Sequence, residues 1–373
     1  MARTGVVQLN RGTVITPVFM PIGTVGSVKG LTYMDLEKIG YEIILGNTYH
    51  LWLRPDIDTM SQSKWCRPIE NPFINNTRES GLHSFESWQR PILTDSGGFQ
   101  AWSLSKIRKF TEEGVTFRAI TDGSKRFLSP EVSMGIQTTM GSDIALVLDE
   151  ALSAEVSYKK AVSAMLRTQR WAQRSKDEFE RLRGIEPHNN TLFGIPQGAE
   201  FLDLRRESAR LTMELDFDGY SIGGVANGGE PEEIMYAQVL AQTEILEEHK
   251  PRHLLGVGTP NDIIEMTKRG IDMFDCVYPT RNARHGSIFI WTNKEKLEYE
   301  TIKIEGKRFE TDFSSINSNS KLEELRNYSK SYLRHLFKAK ELLAYRLATL
   351  NNLEFYYELM VEIRKKIEND EEY

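Results

Sequence analysis

Residues 270–286 read Gly-Ile-Asp-Met-Phe-Asp-Cys-Val-Tyr-Pro-Thr-Arg-Asn-Ala-Arg-His-Gly. A short apolar run carries one carboxylate, Asp275, in its middle. Tyr278-Pro279 ends the run, because proline fixes φ and removes a backbone donor. Two arginines, Arg281 and Arg284, follow at once. A carboxylate in an apolar strand, with cations just beyond its carboxyl end, is how an α/β enzyme presents a nucleophile to an anionic substrate. The alternative is a buried structural aspartate paired to Arg281 or Arg284, since buried carboxylates need a partner.

Runs of this kind recur along the chain, at 17–22, 41–46, 91–94, 143–148, 192–195, 220–224, 253–257 and 273–277. Near-continuous apolar runs, as opposed to alternating ones, mark parallel strands buried on both faces. Helical patterns lie between several of them, at 129–141, 156–183, 201–215, 231–249 and 260–270. Pro231 and Pro260 stand where the first turn of a helix tolerates proline. Eight strands with intervening helices predict a (β/α)₈ TIM barrel, with a doubly wound open sheet as the rival.

The polar residues at the strand ends favour the barrel. Asn47 follows strand two, Asp95 strand three, Asp149 strand four and Gln197 strand five. Gly223-Gly224 lies at strand six, Gly256 to Gly258 at strand seven, and Asp275 in strand eight. A barrel gathers these ends into one ring, where its active sites lie, whereas an open sheet strings them along a line. Around this frame, residues 5–15 read as a hairpin turning at Asn10-Arg11-Gly12. Residues 56–87 read as a long irregular insertion, and 107–128 as an inserted hairpin with turn signals at Gly114 and Asp122-Gly123. The barrel is assigned to 1–286, a subdomain of strands, polar loop and helix to 287–351, and a helix packing back on the barrel to 352–373.

The chain's 373 residues suffice for one large core with an appendage. No apolar run reaches membrane-spanning length, and the residues after Met1 lack the apolar stretch of a signal peptide. Only two cysteines, Cys66 and Cys276, argue against a disulfide framework and fit a reducing cytoplasm. A net charge of −6 gives no global attraction to nucleic acid, so any such binding must come from a local patch.

Three aspartates on one rim suit a reaction with a carboxylate nucleophile and a second carboxylate as acid or base, the logic of retaining glycosyl transfer. Asp95 stands in Thr94-Asp95-Ser96-Gly97-Gly98-Phe99-Gln100, whose adjacent glycines let backbone approach a ligand closely. Asp149 beside Gln197 supplies two acceptors and a two-way amide, which suits a purine edge. In the bland alternative Asp149 caps the helix after it and Gln197-Gly198 is only a turn.

These segments, with Phe193-Gly194-Ile195-Pro196-Gln197-Gly198, Gly219-Tyr220-Ser221-Ile222-Gly223-Gly224, Phe127-Leu128-Ser129-Pro130-Glu131, 272–277 and 279–284, closely resemble the tRNA-guanine transglycosylases. The resemblance is to the bacterial branch and covers nearly the whole chain in order. It implies a (β/α)₈ barrel with an added metal-binding subdomain, working as a homodimer. It implies exchange of guanine at the anticodon wobble position of tRNA for a 7-deazaguanine. That base is the prequeuosine base by default, or queuine. Carried over, Asp275 is the nucleophile that attacks the ribose C1′, and Asp95 the general acid/base. Asp149, Gln197, Gly224, Phe99 and Leu255 hold the base, and Arg281 and Arg284 grip the anticodon loop.

The family's structural zinc, held by three cysteines and a histidine, is not expected here. The four ligand positions carry Ser320, Leu322, Leu325 and Asn351, none able to replace a thiolate or imidazole. Ser320 with Glu323 reads as a capping box, and Leu322, Leu325, Tyr332 and Leu336 as the apolar stripe of a helix that replaces the metal loop. Arg326, Lys330, Arg334 and Lys338 at four-residue steps give that helix a basic face, read either as a solvated face or as a phosphate contact for tRNA. Two pocket departures leave the incoming base open: Ala151 follows Asp149-Glu150 where relatives carry cysteine, and the loop through 223–230 is one residue longer. The rival functions are a non-catalytic tRNA-binding subunit of such an enzyme and a barrel glycosidase acting on small sugars.

Overall fold

The computed structural model describes residues 1–66, 80–104, 108–153, 155–185, 189–225 and 231–372. Part of the 56–87 insertion, the start of the 107–128 insertion and positions 226–230 of the lengthened loop lie outside the described residues.

Eight parallel strand positions form a closed ring. The first is interrupted at Pro21. Its leading half, Val18–Met20, pairs with the eighth strand, Met273–Asp275, and its trailing half, Ile22–Gly23, pairs with the second, Ile44–Gly46. Proline has no N–H to give the ladder, but its carbonyl still accepts from Leu45 N at 3.0 Å, so the ring continues past it. The remaining strands follow in chain order: Ile92–Thr94, Ile144–Leu146, Thr191–Gly194, Gly219–Ile222 and Arg252–Leu254. This is the expected barrel, and the open-sheet rival is excluded by the pairing of strand one with both two and eight.

Helices Pro130–Met140, Tyr158–Ile185, Leu202–Glu214, Glu232–Thr243 and Pro260–Lys268 fall where the periodicity predicted them. Ser129 and Thr259 cap two of these helices ahead of a proline in the first turn. The N-terminal hairpin, Gly5–Leu9 with Gly12–Thr16, lies at the amino end of the barrel. From its turn, buried Arg11 donates to Asp143 Oδ1 at 3.1 Å, and Asp143 Oδ2 accepts from Ile92 N. The 107–128 insertion carries one strand more than a hairpin, as Arg108–Phe110, Val115–Arg118 and Lys125–Leu128 form an antiparallel meander.

After strand eight the chain makes the short helix Tyr278–Arg284 and the antiparallel pair Ser287–Asn293 and Glu298–Lys303. It returns through one long helix, Leu342–Glu368, which runs unbroken across the boundary drawn at 351. Positions 347–356 of that helix are all buried. One side meets the first strand and the barrel helices Tyr33–Ile39 and Pro260–Lys268, and the other meets the Ser287–Asn293 strand. A helix enclosed all round loses its polar face, as here.

The single helix expected from Ser320 is corrected. Two helices stand there, Glu323–Asn327 and Lys330–Ala339, broken at Tyr328-Ser329, and the second has its own cap in Ser329. Ser320 makes no capping box. Its hydroxyl donates to Glu354 Oε2 at 2.5 Å and accepts from Leu322 N at 2.8 Å. The reason is register, because the helix starts at Glu323 with Leu322 at its N-cap, which leaves Ser320 two residues outside the cap position. There its hydroxyl meets the Glu354 carboxylate, which also accepts from Lys321 N at 2.7 Å. Leu322, Leu325 and Leu336 are buried as expected, but Tyr332 is 38% exposed and Leu333 takes the inward place.

Candidate active site

The carboxyl ends of the strands open on a cavity of about 350 Å³. Asp95, Phe99, Asp149, Gln197, Gly224, Leu255 and Asp275 all line it, so the barrel brings together every base-site and catalytic candidate named from the sequence. Asn47, Ser96, Gln100, Ala151 and Gly223 join them.

Asp95 directly follows the third strand. Asn47 Nδ2 (2.6 Å) and Gln100 Nε2 (2.8 Å) donate to its Oδ2, and Thr48 N (2.7 Å) donates to its Oδ1. Burial pushes its carboxyl up to about 6 against these hydrogen bonds, and the nearby Asp275 charge adds to the rise. Asp149 lies past the fourth strand and is 6% exposed. Gln197 Nε2 donates to its Oδ2 at 2.7 Å and Ser96 Oγ to its Oδ1 at 3.2 Å. Burial likewise pushes it up to about 6. The site therefore holds two carboxyls able to exchange protons near neutral pH.

Asp275 ends the eighth strand, almost buried. Its Oδ1 accepts from His253 Nε2 at 2.8 Å and from Gly256 N at 3.1 Å. Gly223 and Gly224 present backbone to the cavity, and the requirement for glycine is steric at the first: a Cβ there would stand 2.7 Å from Gln197 Nε2. Gly224 adopts a φ of +68°, open to glycine at little cost. Phe99 is 44% exposed at the cavity mouth and packs on Trp102 with ring centroids 5.6 Å apart.

Three residues of this constellation escaped the sequence reading. Fully buried Arg205, on the helix after strand five, donates to the carbonyls of Ala199 (2.7 Å), Gly223 (2.6 Å) and Gly224 (2.5 Å). His253 and Ser221 lie fully buried beneath Asp275. Their only sequence signal is a basic or polar residue where a buried stripe calls for an apolar one.

The basic candidates stand apart from the cavity lining. Arg281 is exposed on the helix after strand eight, and Arg284 Nη1 donates to Thr280 O at 3.0 Å. Arg326 does not share a helix with the other three; its Nη1 donates to Ser320 O at 2.6 Å. Lys330, Arg334 and Lys338 do share one, and they pair with Asp312 (4.0 Å), Glu310 (3.6 Å) and Glu305 (3.3 Å). The positions at which the resemblance implies zinc do not fit the metal. Leu322 and Leu325 are buried apolar side chains, Ser320 is engaged by Glu354, and Asn351 Nδ2 donates to Phe289 O at 2.9 Å.

A sequence model described as queuine tRNA-ribosyltransferase matches residues 1–372. A queuine tRNA-ribosyltransferase of Neisseria gonorrhoeae is 46% identical over 368 residues, covering 99% of this chain and 92% of the relative. Relatives of the same name from Chromobacterium violaceum and Vibrio atlanticus are each 45% identical over 369 residues, covering 99% of this chain and 92% and 90% of theirs.

Proposed function

The chain belongs to the queuine tRNA-ribosyltransferase family, and from that premise we propose that it exchanges guanine at the anticodon wobble position of tRNA for a 7-deazaguanine. The observation that carries this reading is the shared cavity of Asp275, Asp95 and the Asp149–Gln197 pair. Asp275 attacks the ribose C1′, forming a C–O bond as the glycosidic C–N bond breaks and its electron pair leaves with guanine. Asp95 gives the departing base its proton, then takes one from the incoming base, whose nitrogen returns the bond to C1′ and frees Asp275. A carboxyl near 6 serves both directions at neutral pH. Asp149, Gln197, the Gly224 backbone and Leu255 hold the base, with Phe99 over it. An unpaired loop nucleotide reaches such a pocket at little cost in stacking.

The finer assignments go with this reading. Arg281 and Arg284 grip the anticodon loop, and Arg326, Lys330, Arg334 and Lys338 meet phosphate, the last three exchanging the carboxylates they now pair with for RNA oxygens. The prequeuosine base is the default incoming base, and the small Ala151 side chain in the cavity lining supports queuine as the alternative. A homodimer is supported by the aromatic cluster on the subdomain surface, where Tyr328 and Tyr332 pack at 5.3 Å and His335 stacks at 6.5 Å. Among the described residues no helix is long and apolar enough to cross a membrane, and we place the protein in the cytoplasm, working without a metal.

Incubation with tRNA and labelled guanine tests the reading. The native protein is expected to incorporate label and to form a covalent tRNA adduct, and Asp275→Asn to lose at least about 10³-fold in rate. No exchange by the native protein, with tRNA binding retained, overturns it in favour of a non-catalytic binding subunit. Both aspartates facing the cavity argue against that rival.

A further inference from the structure

Beneath the cavity floor, three side chains on successive strands form a hydrogen-bonded line that ends on Asp275. Ser221 on strand six and His253 on strand seven stand opposite each other in the parallel register. His253 in turn pairs with Met273 on strand eight. Asp275 lies two residues beyond Met273, on the same face of its strand. Ser221 Oγ lies 3.1 Å from His253 Nδ1, and His253 Nε2 lies 2.8 Å from Asp275 Oδ1. Ser221 and His253 are fully buried and do not line the cavity, so neither can touch a substrate.

We infer that His253, held between Ser221 and Asp275 with its tautomer set by both, is a positioning residue that aims the Asp275 carboxylate. The inference rests on the proposed exchange, in which Asp275 is the nucleophile. An ionised carboxylate only accepts, so Nε2 of the facing imidazole must donate. Nδ1 of the neutral ring is then a lone pair, which the Ser221 hydroxyl satisfies as donor. Ser221 reinforces the preference that Asp275 sets, because the other tautomer would both turn a lone pair on Nε2 against Oδ1 and cost Nδ1 its bond from Ser221. Among the described residues, both hydrogen bonds that Asp275 accepts, from His253 and Gly256, fall on Oδ1. Oδ2 is left as the attacking oxygen, with the carboxyl plane fixed by two donors. Pre-organisation of this kind spares the reorganisation that a mobile carboxylate would need at the moment of attack.

The full chain is compared with His253→Gln, His253→Leu and Ser221→Ala. The measurements are single-turnover formation of the covalent adduct with an unmodified tRNA carrying a wobble guanine, tRNA affinity, thermal midpoint, and long-range proton–nitrogen spectra of ¹⁵N-histidine protein. His253→Leu is expected to slow adduct formation by about 100-fold while tRNA affinity stays within about threefold. His253→Gln, whose amide donates from nearly the same place, regains all but about tenfold, and Ser221→Ala loses about tenfold. The native spectrum shows His253 protonated on Nε2, and Ser221→Ala perturbs that signature.

A folded His253→Gln as slow as His253→Leu overturns the inference, as does a native imidazole protonated on Nδ1. If His253→Leu does not fold, the native spectrum and Ser221→Ala still decide. Absence of adduct in the native protein overturns the exchange reading alone, because the tautomer is read without activity.

Discussion

Asp149 is a carboxylate that the fold works against. Burial pushes it up to about 6, although Gln197 and Ser96 both donate to its oxygens. In the unfolded chain an aspartate releases its proton near about 3.9. Between those values the folded protein binds more protons than the unfolded one. Stability contributed at this position therefore falls as pH rises from about 4 to about 6, and the deficit is complete above that. Its upper limit is roughly 3 kcal/mol. Asp149→Asn is expected to raise the unfolding midpoint at pH 7.5, with the gain fading toward pH 4, while KM for guanine rises at least about tenfold. Thermal unfolding across that pH range checks the first part, and a midpoint that does not move at pH 7.5 contradicts it. Asp95, Asp149 and Asp275 were legible in the sequence because each interrupts or ends an apolar run. His253 and Ser221 were not, because a single polar residue inside a strand names no partner until strand register sets it opposite one.

Helix Leu202–Glu214 shows how an element outside the cavity shapes it. Its Arg205 reaches three carbonyls in the loops that follow strands five and six, tying the turn at Ala199 to the Gly223-Gly224 backbone. The planar guanidinium makes these bonds from three separate nitrogens, a span that the single nitrogen of an ammonium does not cover. Arg205→Met preserves much of the buried volume but leaves the three carbonyls unpaired. A loss of about 3–5 kcal/mol is expected, read by denaturant unfolding, with KM for the incoming base rising more than kcat falls. Equal stability of Arg205→Met and the native chain would remove the clamp from the account. Amphipathic spacing placed this helix correctly within one residue at each end. It could not reveal the clamp, since an arginine interrupting the buried stripe names no partner until the fold brings the three carbonyls to it. The subdomain helices failed for a related reason. Ser320 and Glu323 have capping-box spacing, but the helix starts at Glu323 itself, and Ser320, left outside the cap, is held by Glu354, thirty-odd residues away in sequence.

The whole molecule is a barrel whose last helix arrives late. After strand eight the chain builds the 287–341 unit before Leu342–Glu368 fills the place between strands eight and one. The same helix anchors the subdomain. Asn352 Nδ2 donates to Pro279 O and Ser287 O, both at 3.0 Å, and its Oδ1 accepts from Phe289 N. Glu354, one turn from Asn351, gathers Ser320 Oγ and Lys321 N into the segment where relatives are expected to bind zinc. Buried Leu322, Leu325 and Leu333 and this one carboxylate junction hold the segment together, and we propose that they supply the folding energy a metal would otherwise give. Two results are expected together. The purified protein carries substoichiometric zinc, and a strong chelator leaves its unfolding midpoint unchanged. Glu354→Ala strips the acceptor from buried Ser320 Oγ and part-buried Lys321 N at a cost of roughly 1–3 kcal/mol, lowering the midpoint by roughly 1–4 °C. Because the junction sits on the helix that closes the barrel, the loss appears in one shared transition for barrel and subdomain. Stoichiometric zinc, or a midpoint that follows the chelator, would mean that this segment still folds around a metal and that Glu354 does not stand in for it.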